Sequence, residues 1–246
     1  MPSDDMKLVV PNGRLLLVIP FRNGLTGKMD NKHHVAKNNK IALVGMADRS
    51  SIVDVETPGP TGTIGVEINP SGAYRFFHIK LKNIRNELQY LTDVLGGTAK
   101  EIEERIAELR SIDDKVHLLQ QFLLSLFLRT NEDALFEFCL QQITASQGHL
   151  RIRDLEQQTG YSSRWLNMKF EERLGVSPKT FSSIVRFQPY YRALLSNSID
   201  FLRQKQFYLH YHDESHFIKD FQKFTGLSPS KLMQSENKFG RTFYEA

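Results

Sequence analysis

The segments FEERLGVSP (residues 170–178) and FQKFTGLSP (residues 221–229) share the pattern Phe-x4-Gly-[Val/Leu]-Ser-Pro, with an offset of 51 residues at every matched position. A fixed offset across matched residue types indicates a repeated structural unit. Within each copy, Gly is typical of a helix C-terminus, and Ser followed by Pro is typical of the start of the next helix. The repeat therefore predicts two similar pairs of helices near the C-terminus.

Length and composition are those of an ordinary globular protein. The chain has 246 residues, 40% apolar and 24% charged, which is enough for one large domain or two of ordinary size. No apolar run approaches the roughly 18 residues that span a bilayer, and the acidic, polar start is unlike a secretory signal. For the single cysteine, Cys139, we expect a buried core thiol, with a redox sensor as the alternative. These features predict a cytoplasmic protein with no membrane partner.

Positive charge is concentrated in the repeated segment. Residues 149–246 contain 15 Lys and Arg against 10 Asp and Glu, a net charge of +5, whereas residues 1–148 carry a net charge of −1. Basic charge confined to one part of a chain is typical of a protein that binds a polyanion, although many solvated surfaces carry as much.

Short apolar runs separated by turn residues characterise residues 8–80. The runs at 15–19, 41–44, 52–55 and 64–68 predict strands, and their Gly and Pro punctuation favours an antiparallel barrel or sandwich. Apolar residues at helical spacing follow between residues 98 and 128. The apolar face of residues 116–128 either packs on the β barrel or forms a dimer interface. The predicted fold class is α+β: a cupin-like antiparallel β barrel or sandwich with trailing helices over residues 1–130, then an all-α domain of two helix-turn-helix units over residues 131–246.

The first helix-turn-helix unit is predicted at residues 150–175. Gly160 permits the positive φ of a tight helix end, and Ser162 is a candidate N-cap for the next helix. In that helix Leu166, Phe170 and Leu174 recur at every fourth position and should face the core, which turns Glu171 outward. This is the layout of a recognition helix, whose N-terminal half meets base edges in the major groove. The predicted base-reading residues are Ser163, Arg164, Asn167 and Met168.

The second unit has a matching helix, with Asp213 as its candidate N-cap. Phe217, Phe221 and Phe224 should face inward, and the base-reading candidates on the outer face are Glu214, Ser215 and Lys219. In both units the Ser-Pro pair starts another helix, whose free amides can hold a DNA phosphate. The predicted phosphate-binding residues are Ser177, Lys179, Ser228 and Lys231.

Several stretches together identify a family resemblance. They are Gly160-Tyr161-Ser162, Phe170 with Gly175-Val176-Ser177-Pro178-Lys179, Arg186-Phe187, and the stretch from Asp213 to Phe221 with its Gly226-Leu227-Ser228-Pro229 ending. Through them, residues 134–233 resemble the DNA-binding domain of AraC/XylS-type transcriptional regulators. The resemblance implies two helix-turn-helix units joined by a helix at about residues 179–196, with the recognition helices in adjacent major grooves. The N-terminal half resembles more loosely the sensor domain of a subset of that family, through Pro11-Asn12-Gly13, residues 65–77 and Asp93-Val94-Leu95-Gly96.

Three residues depart from the family pattern. Glu156 and Gln206 stand where the family favours small residues, and His210 stands where it favours a turn glycine. A charged or bulky side chain at a packing position needs a polar partner, and a positive φ strains histidine. We therefore expect the first unit to be the better base reader.

The N-terminal half offers weaker candidates. Glu67, Tyr74 and Arg75 are candidate effector-pocket residues, with a structural role at a strand end as the alternative. The histidines His33, His34 and His78 with Glu67 lack the spacing of a metal-dependent cupin, and the group His210, His212 and His216 lacks a second ligand pair.

We expect neither a metal nor another cofactor. No catalytic triad, phosphate loop or dinucleotide fingerprint is present, so we do not expect an enzyme.

The sequence thus predicts a transcriptional regulator that binds double-stranded DNA. Its N-terminal domain would sense an unknown small molecule or mediate homodimer formation, and RNA polymerase is a further candidate partner. The alternative is a ligand-binding or protein-interaction regulator whose second DNA-reading unit has decayed, as the departures at Glu156, Gln206 and His210 suggest.

Overall fold

Two antiparallel sheets form the N-terminal half of the chain. The computed structural model describes residues 7–127, 132–195, 211 and 214–234. The strand orders are β1-β6-β3-β4 and β7-β2-β5-β8. The strands are β1 (Leu8–Val9), β2 (Leu15–Arg22), β3 (Leu25–Met29), β4 (Lys32–Ala36), β5 (Ala42–Val44), β6 (Ser51–Val55), β7 (Gly62–Ile68) and β8 (Leu88–Tyr90). Of the two predicted alternatives, the structure has the sandwich.

Strand β2 shows how the layers stack. Leu15, Leu17 and Ile19 are fully buried among residues of the helices, whereas Leu16 and Val18 pack toward β3 and β4 of the other sheet. This alternation follows from the two-residue period of a strand. The molecule therefore has three layers, with the β7-β2-β5-β8 sheet between the other sheet and the helices.

The helices begin directly after β7. They are α1 (Pro70–Phe77), a 3₁₀ turn (Leu81–Ile84), α2 (Leu91–Leu95), α3 (Gly97–Glu108), α4 (Ile112–Phe127), α5 (Ala134–Ala145), α6 (Ile152–Thr159), α7 (Ser163–Leu174), α8 (Pro178–Leu195), α9 (Glu214–Thr225) and α10 (Pro229–Gln234). The prediction of strands up to about residue 80 was wrong at α1. Asn69 occupies the N-cap position and Pro70 the first turn, and this pair starts a helix as readily as it ends a strand.

Helix α4 buries its apolar face within this chain. Leu119, Phe122 and Leu126 belong to the main core, while Ile112 and Leu124 are more than half exposed. This face therefore packs within the chain, in the core that α4 shares with α1 and α3, and the dimer interface stays a prediction.

One apolar core continues from the N-terminal half into the C-terminal helices. The Phe136 ring of α5 lies 5.4 Å from the Tyr74 ring of α1 and 5.1 Å from the Phe170 ring of α7. Cys139 is buried in the same core, where desolvation raises the pKa of its thiol to about 11. The predicted boundary between residues 130 and 131 lies outside the described residues.

Candidate nucleic-acid interface and apolar cleft

Helices α6 and α7 form the first helix-turn-helix unit. Gly160 ends α6 with a left-handed φ of 73°, and its amide donates to the Glu156 carbonyl at 2.8 Å. The Ser162 hydroxyl caps α7 by accepting a hydrogen bond from the Trp165 amide. Both assignments agree with the sequence prediction, and they fix the angle at which α7 leaves the turn.

Glu156 has the polar partner that its position requires. Its Oε1 accepts a hydrogen bond from the Ser163 amide at 2.5 Å. That amide is one of the unpaired donors at the start of α7, and a carboxylate is favoured there by the helix dipole. This departure from the family pattern therefore stabilises the turn of the first unit.

Helix α7 has one buried and one outward face. Leu166, Phe170 and Leu174 are at most 1% exposed. On the outward face Arg164 and Met168 are exposed, while Ser163 and Asn167 are half-buried. All four predicted base-reading residues of this unit thus lie at least partly accessible on the N-terminal part of α7, and their role at DNA bases stays a prediction.

Asp133 forms ion pairs with the C-terminal half of α7. Its carboxylate lies 2.5 Å from Lys169 Nζ and 3.5 Å from Arg173 Nε. The same carboxylate caps α5, and the Asp133 amide donates to the Tyr74 hydroxyl at 2.7 Å. A single side chain therefore ties α7 to α5, next to α1 of the N-terminal half.

Helix α9, in the described part of the second unit, has a buried and an outward face as α7 does. Phe217, Phe221 and Phe224 of α9 are buried. Its exposed residues include the three predicted base readers Glu214, Ser215 and Lys219. The positions Gln206, His210, His212 and Asp213 lie outside the described residues, so the predicted strain at His210 stays a prediction.

Arg186 of α8 joins the two units. Its Nη2 lies 3.3 Å from Asp220 Oδ2 of α9, and its Nη1 donates to the Gly148 carbonyl at 3.2 Å. The guanidinium also lies 4.9 Å from the centre of the Tyr211 ring. Because the Arg186 and Asp220 side chains are only 14% and 13% exposed, this contact fixes α9 relative to α8.

The predicted phosphate-binding residues lie at the starts of α8 and α10. The Ser177 hydroxyl accepts from the Thr180 amide at 3.2 Å, and the Ser228 hydroxyl accepts from the Lys231 amide at 3.4 Å. The lysines Lys179 and Lys231 are exposed beside these caps.

A surface pocket with a volume of about 660 Å³ lies next to Lys179, between the two units. Its basic border includes Arg151 and Arg186. The sequence analysis did not single out Arg151.

A second concave site lies between the two sheets, and we call it the apolar cleft. It has a volume of about 310 Å³ and is lined by the apolar side chains of Val9, Leu16, Val18, Met29, Val44 and Val53, among others. It opens along β7, where Thr63 and Gly65 are exposed. None of the three predicted effector-pocket residues lines it.

Those three residues have structural partners elsewhere. Glu67 Oε1 accepts a hydrogen bond from the Asn12 amide group. The Tyr74 hydroxyl is bonded to the start of α5. The Arg75 guanidinium lies over the Phe127 ring at 3.9 Å. Tyr74 and Arg75 are on α1, which corrects their placement at a strand end.

Strand β1 connects the apolar cleft to the second unit. Val9 lines the cleft, whereas its neighbours Leu8 and Val10 are buried in the aromatic core of α8 and α9. Next to them, the Gln188 side chain of α8 donates to the Pro11 carbonyl at 2.5 Å. No sequence signal pointed to this connection, because it depends on contacts between residues far apart in the chain.

Within the described ranges, no group of three or more His, Cys, Asp or Glu side chains is placed to hold a metal ion. Among the same residues, no helix is both long and apolar enough to cross a membrane.

Comparison with known proteins gives a family for the C-terminal part. The model of a helix-turn-helix domain matches residues 155–235. No curated protein sequence matches the chain.

Solved structures of similar overall fold include ToxT from Vibrio cholerae at 1.65 Å resolution, with 12% identity, 94% of each chain covered and a TM-score of 0.50. Wild-type ToxT with an unsaturated fatty acid bound matches at 13% identity over 94% of this chain and 92% of that one, with a TM-score of 0.49. The AraC-like transcriptional activator CuxR matches at 13% identity over 73% of this chain and 68% of its own, with a TM-score of 0.30.

At 12% identity, the similarity to the ToxT structure shows only that the two proteins have a similar fold. The helix-turn-helix match covers residues 155–235, which include α7 and α9. Residues 155–235 are thus a helix-turn-helix domain of the AraC type, which confirms the family resemblance found in the sequence.

Proposed function

We propose that this protein is a sequence-specific DNA-binding transcriptional regulator with a small-molecule-sensing N-terminal domain. The observation that carries the proposal is the pair of helices α7 and α9, each with a buried apolar face and with exposed residues near its N-terminal end. The domain match over both units and the net charge of +5 on residues 149–246 support it.

The proposed DNA contacts divide into two kinds. Arg164 and Asn167 of α7, with Lys219 of α9, supply hydrogen bonds to base edges, which carry sequence information. Lys179 and Lys231, beside the helix N-termini of α8 and α10, bind phosphates and give affinity without specificity. The two recognition helices would enter successive major grooves, about 34 Å apart along the DNA.

The proposed sensor site is the apolar cleft. A ligand there would touch Val9, whose neighbours Leu8 and Val10 pack in the core of the second unit. A shift of β1 would therefore change the packing of α8 and α9 directly. Homodimer formation through the N-terminal half, contact with RNA polymerase and a cytoplasmic location are further parts of this proposal.

The test compares two substitutions that remove one positive charge each. We expect Arg164→Ala to relax specificity, with a loss of about 1–3 kcal/mol on the preferred DNA sequence and little loss on random DNA. We expect Lys179→Ala to weaken binding to all sequences and to reduce the salt slope by about one. Arg85→Ala and Lys82→Ala, at exposed positions in the N-terminal half, are the controls for charge. Equal losses on preferred and random DNA for Arg164→Ala would contradict the role of Arg164.

The alternative is a regulator whose second DNA-reading unit has decayed. The residues that motivate it, Gln206 and His210, lie outside the described residues, whereas Glu156 has a stabilising role in the first unit. A mobility-shift titration at two salt concentrations separates the two proposals. Decay of DNA binding predicts no retardation of promoter DNA beyond that of random DNA, even at low salt.

A further inference from the structure

Strand β7 leaves one side of its sheet open. It is an edge strand of the β7-β2-β5-β8 sheet, and within the described part of the chain it pairs with β2 alone. It has seven residues, from Gly62 to Ile68, and the irregularity in its pairing with β2 lies at the Gly62 end. An edge of this length presents backbone N–H and C=O groups to which a further strand can bond.

The other edge strands have protections that β7 lacks. Strands β1 and β8 have only two and three residues, and β4 begins with the exposed Lys32. Short strands and lysine side chains commonly prevent a sheet edge from pairing with another chain. Strand β7 contains no Lys, Arg or Pro, and its one charged side chain, Glu67, is paired with Arg14 of the same chain at 3.4 Å.

The hydrogen bonds of the sheet show which β7 residues face the open side. Alternate residues of a strand direct their backbone groups to opposite neighbours. The Gly45 amide, at the end of β5, donates to a carbonyl on the β8 side, so Val44 bonds to its β2 partner Leu16. The next residue of β2, Leu17, therefore bonds to Val66 of β7. The β7 residues whose N–H and C=O groups point to the open side are consequently Thr63, Gly65 and Glu67.

Strand β7 is complementary to itself in antiparallel pairing. When Gly65 lies opposite Gly65 of a second copy, Ile64 lies opposite Val66, and such pairs of β-branched side chains stabilise a sheet. Both side chains are only partly buried in the single chain, and the pairing would cover them further. Like charges do not meet, because Glu67 lies opposite Thr63. One surface that matches its own copy is the requirement for a two-fold symmetric dimer.

We infer that β7 of one copy pairs with β7 of a second copy, in antiparallel register centred on Gly65. The resulting homodimer has one continuous sheet of eight strands, four from each copy. The inference rests on the homodimer that is part of the proposed function and assigns the surface through which it forms.

Sedimentation equilibrium of the full chain tests whether this dimer forms. Because one strand from each copy makes the contact, we expect a small interface with a Kd of about 1–100 µM. Gly65→Pro removes an N–H group on the open side and leaves the bonds to β2 in place, and a Cβ at this position would lie 3.8 Å from Leu16, an ordinary contact. We expect this variant to dimerise at least about tenfold more weakly, the effect of two lost hydrogen bonds.

The matched control is Gly97→Pro, at the exposed first position of α3, where proline is well tolerated. It should dimerise as the wild type does. A wild-type chain that stays monomeric up to about 1 mM overturns the inference and leaves the β7 edge to a segment of another protein. Equal dimerisation of Gly65→Pro and Gly97→Pro overturns it as well.

A cysteine at the centre of β7 tests the register. In Gly65→Cys the two Cα atoms would lie about 5.5 Å apart, within the range for a disulfide. Oxidised glutathione should convert the two thiols into an intermolecular disulfide, visible as a dimer on a non-reducing gel, whereas Gly97→Cys should give no such product. The native Cys139 is buried. A dimer in solution that does not cross-link in Gly65→Cys overturns the inference and assigns the contact to another face, such as α4 with its exposed Leu124.

DNA binding separates this inference from the proposed function. Strand β7 lies outside the helix-turn-helix units, so Gly65→Pro should bind DNA that carries a single copy of the preferred sequence as the wild type does. Failure of the wild type to bind DNA would contradict the proposed function, whereas dimer formation is measured without DNA.

Discussion

Replacing Asp220 by Asn tests whether the contact between α8 and α9 holds the second unit in place. Asn keeps the size of the side chain but leaves the Arg186 guanidinium without its counter-charge. Removal of one partner from a buried pair costs about 3–5 kcal/mol. Arg186 would keep its hydrogen bond to Gly148 and its contact with Tyr211, so we expect a smaller loss of about 2–3 kcal/mol. In a protein of this size each 1 kcal/mol lowers Tm by about 2–4 °C, which gives a decrease of roughly 4–12 °C.

Thermal unfolding followed by circular dichroism measures this decrease. The matched control is Glu101→Gln, which makes the same charge change at an exposed position of α3 and should leave Tm within about 1 °C. We also expect Asp220→Asn to weaken binding to DNA that carries sites for both units, with little effect on DNA that carries only the site of the first unit. A Tm equal to that of the control would refute the structural role given to the Arg186–Asp220 pair.

Three further outcomes follow from the described contacts. Asp133→Ala removes the cap of α5 and the partner of Lys169, so chemical denaturation should show a loss of about 2 kcal/mol; no loss would contradict the anchoring of α7. Gly148→Ala should lower the free energy of unfolding by about 1–3 kcal/mol more than Gly160→Ala does. Both glycines have a φ near 75°, but only at Gly148 would the new Cβ lie 2.2 Å from a backbone oxygen of α8. Cys139 should resist a thiol reagent at pH 8 in the folded protein and react once the chain is unfolded, because burial raises its pKa to about 11; rapid reaction in the folded state would contradict its burial.

The repeat and its turn residues were sufficient to predict where α8 and α10 begin and where α6 and α7 end. Pro178 and Pro229 start α8 and α10 as the Ser-Pro pairs indicated, and Gly160 and Gly175 end α6 and α7 with positive φ. Such signals are readable because capping and helix termination depend on residues a few positions apart.

What the sequence did not predict depends on distant contacts or on ambiguous local signals. The Asn69-Pro70 pair is compatible with both a turn and a helix start. Packing of α1 against α4, α5 and α7 stabilises the helix. The apolar cleft arises where the two sheets face each other, which no local pattern encodes. The departure at Glu156 looked unfavourable because its partner, the Ser163 amide, could not be identified without the structure.

Selection of bound sequences from random double-stranded DNA by the full chain tests the central claim most directly, which is that two unequal helix-turn-helix units read DNA together. We predict enrichment of two sequence blocks whose centres are about 10–10.5 base pairs apart, one turn of the double helix. The block read by the first unit should carry the stronger sequence preference. Recovery of no enriched sequence, with binding equal to that of random DNA at every salt concentration, would contradict the claim.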